Sequence, residues 1–362
     1  MGDVIMSGPA MRALKQRFHC RITLLTSSMG ALIAPYLEEV DDYIVADLPW
    51  VKTPAQPPAE NTLHLIEQLR ARQFDAAVVF TVYSQNPLPA ALLLYLAGIP
   101  KRLAYCRENP YALLTDWVPE PEPLDLIRHQ VQRDLELVKH IGAVASRDSL
   151  RVIYPKEASV TMRAKVAAAG IDVNRGFIVV HPGVSEAKRE YPVEYWTEIV
   201  RLIVQELDVQ VVISGSAGDQ LLATRIASGT SHGCFVAAGL LNVAEWIALL
   251  DKALLTISVN TATIHIAAAV DTPVVVLYAL TNPQHTPWKV TSEVLPFSVK
   301  EELRSRNGII AYVNKQLSAK PVLLPEPVTV VDAAKKILSG ENTTINTAIV
   351  NIEQEQSLSL LQ

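Results

Sequence analysis

Residues 254–288, LLTISVNTATIHIAAAVDTPVVVLYALTNPQHTPW, hold one complete α/β unit. Leu254 to Ile257 is a short apolar run of strand length, and it ends in the polar turn Ser258-Val259-Asn260-Thr261. Ala262 to Val270 reads as a helix of small residues, Asp271-Thr272-Pro273 as a turn, and Val274 to Tyr278 as a second apolar strand. Strand, turn, helix, turn, strand is a βαβ crossover. The alanines at 267–269 let the helix lie close to a sheet. Its N-terminus presents N–H groups with no partner inside the helix, which suit a phosphate. An ordinary crossover capped by Asn260 or Thr261 would carry the same residues.

Upstream, the same alternation repeats. Phe177 to Val180 is a strand that runs into His181-Pro182-Gly183-Val184-Ser185 and then Lys188-Arg189. Pro192 to Glu206 is a helix, Val209 to Ser214 a strand, and Gly215 to Asp219 a turn with two glycines. Leu221 to Ala227 is a helix, Cys234 to Ala237 a strand, and Asn242 to Leu250 a helix capped by Asn242. The spacing predicts a doubly wound parallel sheet with polar loops 181–189, 214–219 and 258–265 at strand C-terminal ends, where such sheets bind ligands. Lys188 and Arg189 are phosphate donors. Gly215 and Gly218 accompany an acid, Asp219, suited to a ribose diol. Asn260, Thr261 and His265 lie at a helix N-terminus. Together these describe a nucleotide diphosphate site, although singly Lys188 reads as a solvated lysine, Asp219 as an N-cap and His265 as a core histidine.

The N-terminal half also alternates. It opens on Gly2-Asp3 as a loop and continues, from Met11 to Phe18, into an amphipathic helix; no strand precedes them, as though the first strand of a doubly wound fold were missing. Arg21 to Leu25 is then a strand, Met29 to Glu38 a helix and Asp42 to Ala46 a strand. Leu63 to Arg72, Pro89 to Ala97 and His129 to Ile141 are helices, while Phe74 to Phe80 and Lys101 to Tyr105 are strands. Pro110, Pro119, Pro121 and Pro123 mark the stretch from Asn109 to Leu126 as a long loop. A linker is placed near 143–170, with a helix, Ala158 to Ala168, within or just after it. The division expected is 1–155 and 156–340, each Rossmann-like, with a polar tail, 341–362, suited to disorder.

Composition narrows the class. With 362 residues, 49% hydrophobic and 19% charged, there is material for two cores. The formal charge of −5 argues against a nucleic-acid binder. Cys20, Cys106 and Cys234 form no CxxC pair, so free thiols in a reducing compartment are expected, and neither a disulfide framework nor a metal site. The start lacks a basic segment followed by an apolar core, and no apolar run reaches membrane-spanning length. A cytoplasmic protein is the expectation.

The chain resembles glycosyltransferase family 9, the ADP-heptose:lipopolysaccharide heptosyltransferases of the bacterial cell envelope. Gly2-Asp3-Val4 with Pro9 and Arg12-Ala13-Leu14 matches the family's opening. Phe74-Asp75, Ala97-Gly98-Ile99-Pro100 and Arg102 match its middle. His181-Pro182-Gly183 with Ser185, Lys188-Arg189 and Pro192 is among the more specific matches. Ser258 to Ala268 with His265, then Thr272-Pro273-Val274, Thr281-Asn282-Pro283 and Pro287-Trp288, complete it. The resemblance implies a GT-B architecture, two Rossmann-like domains facing across a cleft, and inverting transfer without a metal or other cofactor. It implies an ADP-heptose-like donor held by Ser185, Arg189, Gly215, Asp219, Asn260, Thr261, Ala262 and His265, with Lys188 neutralising the departing diphosphate. Asp3 would be the general base toward a lipid-linked glycan acceptor, met by transient contact with the membrane face. The family usually reads Asn-Asp-Thr-Gly where this chain has Val259-Asn260-Thr261-Ala262. That departure keeps open a relative that binds nucleotide or glycan without turnover; a sugar-nucleotide epimerase is disfavoured by the opening-loop and His-Pro-Gly patterns.

Overall fold

The computed structural model describes residues 1–52, 56–230, 232–317 and 320–341, and the backbone of 344–345 and 350–351. The N-terminal half contributes strands β1 (Thr23–Thr26), β2 (Asp42–Val45), β3 (Ala76–Val79), β4 (Lys101–Cys106), β5 (Asp116–Pro119) and β6 (Leu126–Ile127). The C-terminal half contributes β7 (Phe177–His181), β8 (Gln210–Ile213), β9 (Cys234–Val236), β10 (Leu255–Val259), β11 (Val274–Ala279) and β12 (Thr291–Phe297).

The apolar runs of the second half are covered on both faces, which is why they do not alternate with polar residues. They form one sheet in the order β12-β11-β10-β7-β8-β9, all parallel, with Thr344–Ile345 added antiparallel at β12. One row of the register reads Val275, Ile257, Val180, Ile213, Val236. The first four of these side chains are fully buried. Strand order reverses between β7 and β10: from β7 the chain winds outward through β8 to β9, and from β10 through β11 to β12. The loops leaving β7 and β10 therefore part at a topological switch point.

Each face of this sheet has its own core. On one side the helices Val193–Leu207 and Pro327–Leu338 bring Trp196, Ile199, Val200, Ile203, Val330 and Ala334 against the strands. On the other lie the helices Lys156–Ala168, Val243–Lys252 and Ala262–Ala269. Ile5, Met6 and Met11 from the chain's first two helices join this second core. The opening segment thus packs against both halves, since Ala10 and Ala13 cluster with Val138 and Ala143.

The N-terminal strands do not join into one sheet. β1 pairs with β2, and β3, β4 and β5 pair in that order, all parallel. Side chains from both pieces, Leu25 and Ile44 with Ala77 and Val79, still share one apolar cluster with Leu93 and Leu94. Every residue of β1 is only half-buried, unlike those of β7, β8 and β10.

Three local readings are corrected. Gly2-Asp3 is not a loop: Gly2–Met6 is a short helix and Gly8–Phe18 a second, with Pro9 in its first turn. Met29 to Glu38 is not one helix but a turn, Ser28–Ala31, and a 3₁₀ turn, Ala34–Tyr36, because Pro35 lacks the N–H a continuing helix needs. The Pro-rich stretch 109–126 contains β5, whose Pro119 lies at the strand end on the sheet edge, where prolines are tolerated. The helix expected at Ala158 to Ala168 beside the linker is present as Lys156–Ala168, beginning directly after Pro155. The polar tail lies almost wholly outside the described residues; its described parts, Thr344–Ile345 and Val350–Asn351, are short antiparallel strands.

Candidate functional site

The polar loops expected to meet do meet, and the contacts that join them can be named. A Cβ placed on Gly183 or on Gly215 would come within 2.7 Å of Asp219. Loops 181–189 and 214–219 are therefore pressed against one carboxylate. Arg189 donates through Nη1 to the backbone carbonyl of Asn260 at 3.0 Å, and Ser258 Oγ donates to the carbonyl of His181 at 3.1 Å. These bonds tie loop 181–189 to loop 258–265 at the switch point.

Loop 181–189 carries the charge. Glu186, which the sequence did not single out, accepts ion pairs from Arg189 at 2.9 Å, Lys188 at 3.3 Å and Lys52 at 3.1 Å. Lys52 comes from the N-terminal half and its Nζ lies 3.5 Å from the carbonyl of Ser185. Burial works against the Glu186 charge, but Arg189, Lys52 and Lys188 outweigh it and hold its pKa below the usual carboxylate range. Three cations against one anion leave this group with an excess of two positive charges. Glu186 orders these cations without neutralising them, which suits a site for a multiply charged anion.

The helix Ala262–Ala269 starts from Thr261, whose backbone is extended and whose side chain makes no cap bond. Thr261 Oγ1 donates instead to Thr263 Oγ1 at 3.1 Å. The first-turn N–H groups at Ala262 and Thr263 are not taken by a side-chain cap, so the turn keeps its capacity for an anion.

Two expected donor contacts read differently in the structure. Asn260 is buried, and both ends of its amide are bonded internally. Its Oδ1 accepts from Ala279 N at 3.1 Å, and its Nδ2 donates to Ala279 O at 3.1 Å and Thr281 Oγ1 at 3.2 Å. The side chain clamps the end of β10 to the end of β11. Asp219 forms a capping box: its Oδ2 accepts from Ser216 N and Ser216 Oγ, each at 2.7 Å. Ser216 is the N-cap and Asp219 the third residue of the turn, reaching back to it; at the start of the helix Gln220–Ala227 the Asp219 side chain makes no cap bond. Asn260→Ala should cost stability, about 1–3 kcal/mol for leaving the Ala279 backbone groups buried and unpaired. Urea denaturation followed by near-UV signals checks this; unchanged stability with lost nucleotide binding would return Asn260 to the ligand.

The chain's first helix closes the site from the N-terminal side. A Cβ on Gly2 would lie 2.8 Å from His265 Cδ2, so only glycine lets this backbone rest on the imidazole. Asp3, in the first turn of the helix Gly2–Met6, is 75% exposed at its side chain, and its Oδ1 lies 3.5 Å from Nε2 of His285. His265 is buried and packs edge-on to His285 with ring centroids 6.2 Å apart. Burial first, then the neighbouring His285, His129, the Met1 ammonium and Arg189, push the His265 pKa well below its ordinary value. It is a neutral imidazole at pH 7. Asp3, His265, Arg189 and the turn at Thr261 are thus brought together, although more than 250 positions separate Asp3 from the rest of the chain's contribution at 258–285.

The seam between the halves is itself polar. Arg133 pairs with Glu120 and Glu122, and its Nε donates to Thr81 O at 2.7 Å. Glu122 also accepts from Gln284 Nε2 at 3.1 Å, and Gln284 Oε1 accepts from Tyr83 N at 3.2 Å. His129 bonds through Nε2 to Thr286 O at 2.8 Å and stacks on Trp288 at 4.4 Å. The segment 282–288 is therefore gripped by the N-terminal half along its length. Among the described residues no helix is long and apolar enough to cross a membrane, and no group of three metal-ligating side chains occurs.

With this geometry in hand, comparison with known proteins gives a consistent answer. Lipooligosaccharide heptosyltransferase 2 of Haemophilus influenzae is 24% identical, over 79% of this chain and 83% of that protein. A glycosyltransferase family 9 structure from Veillonella parvula superposes with a TM-score of 0.75 at 16% identity, covering 94% of this chain and 95% of that one. An Escherichia coli heptosyltransferase solved with ADP-2-deoxy-2-fluoro heptose gives a TM-score of 0.61 at 17% identity, covering 94% and 96%. These likenesses identify the α/β architecture with its parallel sheets as GT-B. The profile of "Glycosyltransferase family 9 (heptosyltransferase)" matches residues 62–307, well over half of the sequence, and the chain belongs to that family.

Proposed function

We propose that this protein is an inverting, metal-independent glycosyltransferase that moves a sugar, heptose in the first instance, from an ADP-sugar to a lipopolysaccharide core or related envelope glycan. The observation that carries the reading is the junction at the switch point. There the Lys188–Arg189–Lys52 group is gathered by Glu186, Arg189 bonds to the Asn260 carbonyl beside the uncapped turn at Thr261–Ala262, and His285 lies under the influence of both Arg189 and Asp3. The donor diphosphate would sit against these cations and the helix N-terminus, with Ser185, Gly215 and His265 lining the space around it. As the bond from the anomeric carbon to the diphosphate oxygen breaks, its electron pair leaves with the diphosphate, and the cations stabilise that growing charge. The acceptor oxygen attacks from the opposite face and loses its proton to the exposed Asp3 carboxylate. Family relatives support the donor class: one was solved with an ADP-heptose analogue.

Calorimetry with ADP, ADP-heptose and UDP- and GDP-sugars tests the reading. ADP-heptose is expected to bind, and Lys188→Ala to weaken it roughly ten- to hundredfold, the worth of a charge-assisted hydrogen bond to phosphate. Binding of no nucleotide would overturn it. A second reading is a nucleotide-binding relative without turnover. It is favoured by the turn at 259–260, where Val259 is fully buried and Asn260 is bonded to Ala279, so neither side chain reaches a sugar. Tight ADP-heptose binding with no product from any rough-type lipopolysaccharide would select it.

A further inference from the structure

We propose that Asp134 is a positioning residue for Asp3: its carboxyl, acting through the Ser7 hydroxyl, fixes the joint between the first two helices and with it the place where Asp3 stands. The inference rests on the reading of Asp3 as base. The helix Gly2–Met6 has five residues, too few to hold a direction of its own. Ile5 and Met6 are buried in the core, but apolar burial is non-directional and does not fix the rotation of the helix. Ser7 supplies the directed bonds. It is at once the C-cap of Gly2–Met6 and the N-cap of Gly8–Phe18. Its backbone N–H donates to the Asp3 carbonyl at 3.0 Å, and its Oγ lies 3.1 Å from the same oxygen. On its other side Ser7 Oγ is 2.7 Å from Asp134 Oδ2. One hydroxyl thus links the backbone of Asp3 to a carboxyl from another helix.

Asp134 is itself held. It lies on the helix Gln130–Lys139, is buried, and its Oδ1 accepts from Gln130 Nε2 at 2.7 Å. The same Nε2 donates to the Thr81 carbonyl at 3.2 Å, an oxygen that can only accept, so the amide end facing Asp134 is the donor. His129, the N-cap of this helix, anchors it across the seam through the Thr286 carbonyl. Arg133, next to Asp134 in sequence, is turned to Glu120 and Glu122, and among the described residues Asp134 forms no ion pair. Burial pushes its carboxyl up to about 7; Ser7, Arg133 and Gln130 oppose the rise and Asp3 adds to it. The Ser7 hydroxyl has one proton and two lone pairs. Beside the acid form of Asp134 it accepts at Oγ and donates to the Asp3 carbonyl; beside the carboxylate it donates to Oδ2. The joint is held in both forms.

The test is steady-state transfer by the full chain from ADP-heptose to heptose-deficient lipopolysaccharide. Ser7→Ala and Asp134→Leu should each lower kcat about ten- to hundredfold, the cost of a misplaced reacting group, and leave the KM for ADP-heptose within about twofold. The double variant should be no slower than the slower single, because both changes remove one link. In an Asp3→Asn background, Ser7→Ala should cost nothing further. Asp134→Asn should keep kcat within about threefold of the parent, since with its Oδ1 facing Gln130 its Nδ2 donates to Ser7 Oγ. Four results overturn the proposal: a parent-like kcat in Ser7→Ala, a KM that rises as kcat falls, an undiminished cost of Ser7→Ala in the Asp3→Asn background, or Asp134→Asn as slow as Asp134→Leu. ADP binding by calorimetry reports that each variant is folded; if Asp134→Leu does not bind, Ser7→Ala in the two backgrounds decides. If Asp3→Asn itself transfers at the parent rate, the base assignment has failed; if Asp3→Asn is impaired and Ser7→Ala is not, only the positioning role has failed.

Discussion

Asp3→Asn is expected to lower sugar transfer by about 10²–10⁴-fold, the usual contribution of a positioned general base, while ADP-heptose binding stays within about twofold. The two expectations separate because the groups are separate. Asp3 lies in the first turn of the helix Gly2–Met6 with an exposed carboxylate, and it makes no contact with Lys188, Arg189 or Glu186 among the described interactions. The amide is nearly isosteric and leaves Gly2 free to rest on His265. Single-turnover transfer and calorimetry on the same preparation read the two quantities. Transfer at the parent rate would place the base elsewhere. Lost donor binding would mean that Asp3 serves the diphosphate site through the helix it starts.

The largest stability effect is expected at Arg133. Its guanidinium is fully buried, pairs with Glu120 and Glu122, and sits 4.6 Å over the Tyr105 ring. Arg133→Met would leave Glu120 without its counter-ion and Glu122 with only the longer 4.0 Å pairing to Arg128. Glu122 is already pushed up by burial, with Arg133 the first influence holding it down. Removing one partner of a buried ion pair costs about 3–5 kcal/mol, and thermal unfolding should show it as a lower midpoint for the N-terminal half. The triple variant Arg133→Met, Glu120→Leu, Glu122→Met should recover most of the loss, because the penalty belongs to the stranded charges and not to the missing bridge. Equal instability of the single and triple variants would point to packing instead. Since Glu122 holds Gln284, the single variant should also loosen the turn that carries His285.

What could be read from the residues, and what could not, follows from the range of the interactions. The βαβ unit at 254–288 was legible because both apolar runs are buried on two faces and the helix between them is small-residue and preceded by a polar turn; each signal is local. The convergence of loops 181–189, 214–219 and 258–265 followed from the general property of parallel sheets that ligand loops gather at strand C-terminal ends. Glu186, Lys52, Gln284 and His285 were not legible. Their roles come from pairings over as many as 282 positions, as for Asp3 with His285, and no spacing in the sequence signals such a pairing. Asn260 and Asp219 were expected at a ligand from their place in the converging loops and from the family resemblance. Both turned out to bond to backbone of their own half, the commoner use of short polar side chains at turns. The opening helix was read as a loop because a turn of five residues is too short to show helical periodicity.

The break between β1 and β3 sets the order in which the molecule should come apart. Each of these strands is hydrogen-bonded along one side only, and their side chains are half-exposed or exposed where those of β7 and β10 are largely shut away from water. Backbone amides in 23–26 and 76–79 should exchange with deuterium through low-energy local openings, long before those of 178–180 or 255–259. Yet the helix bearing Asp3 buries Ile5 and Met6 in the core under the C-terminal sheet. The Asp3 carboxylate is therefore moored to the more slowly exchanging half, and it should hold its place while the strands that follow it in sequence breathe.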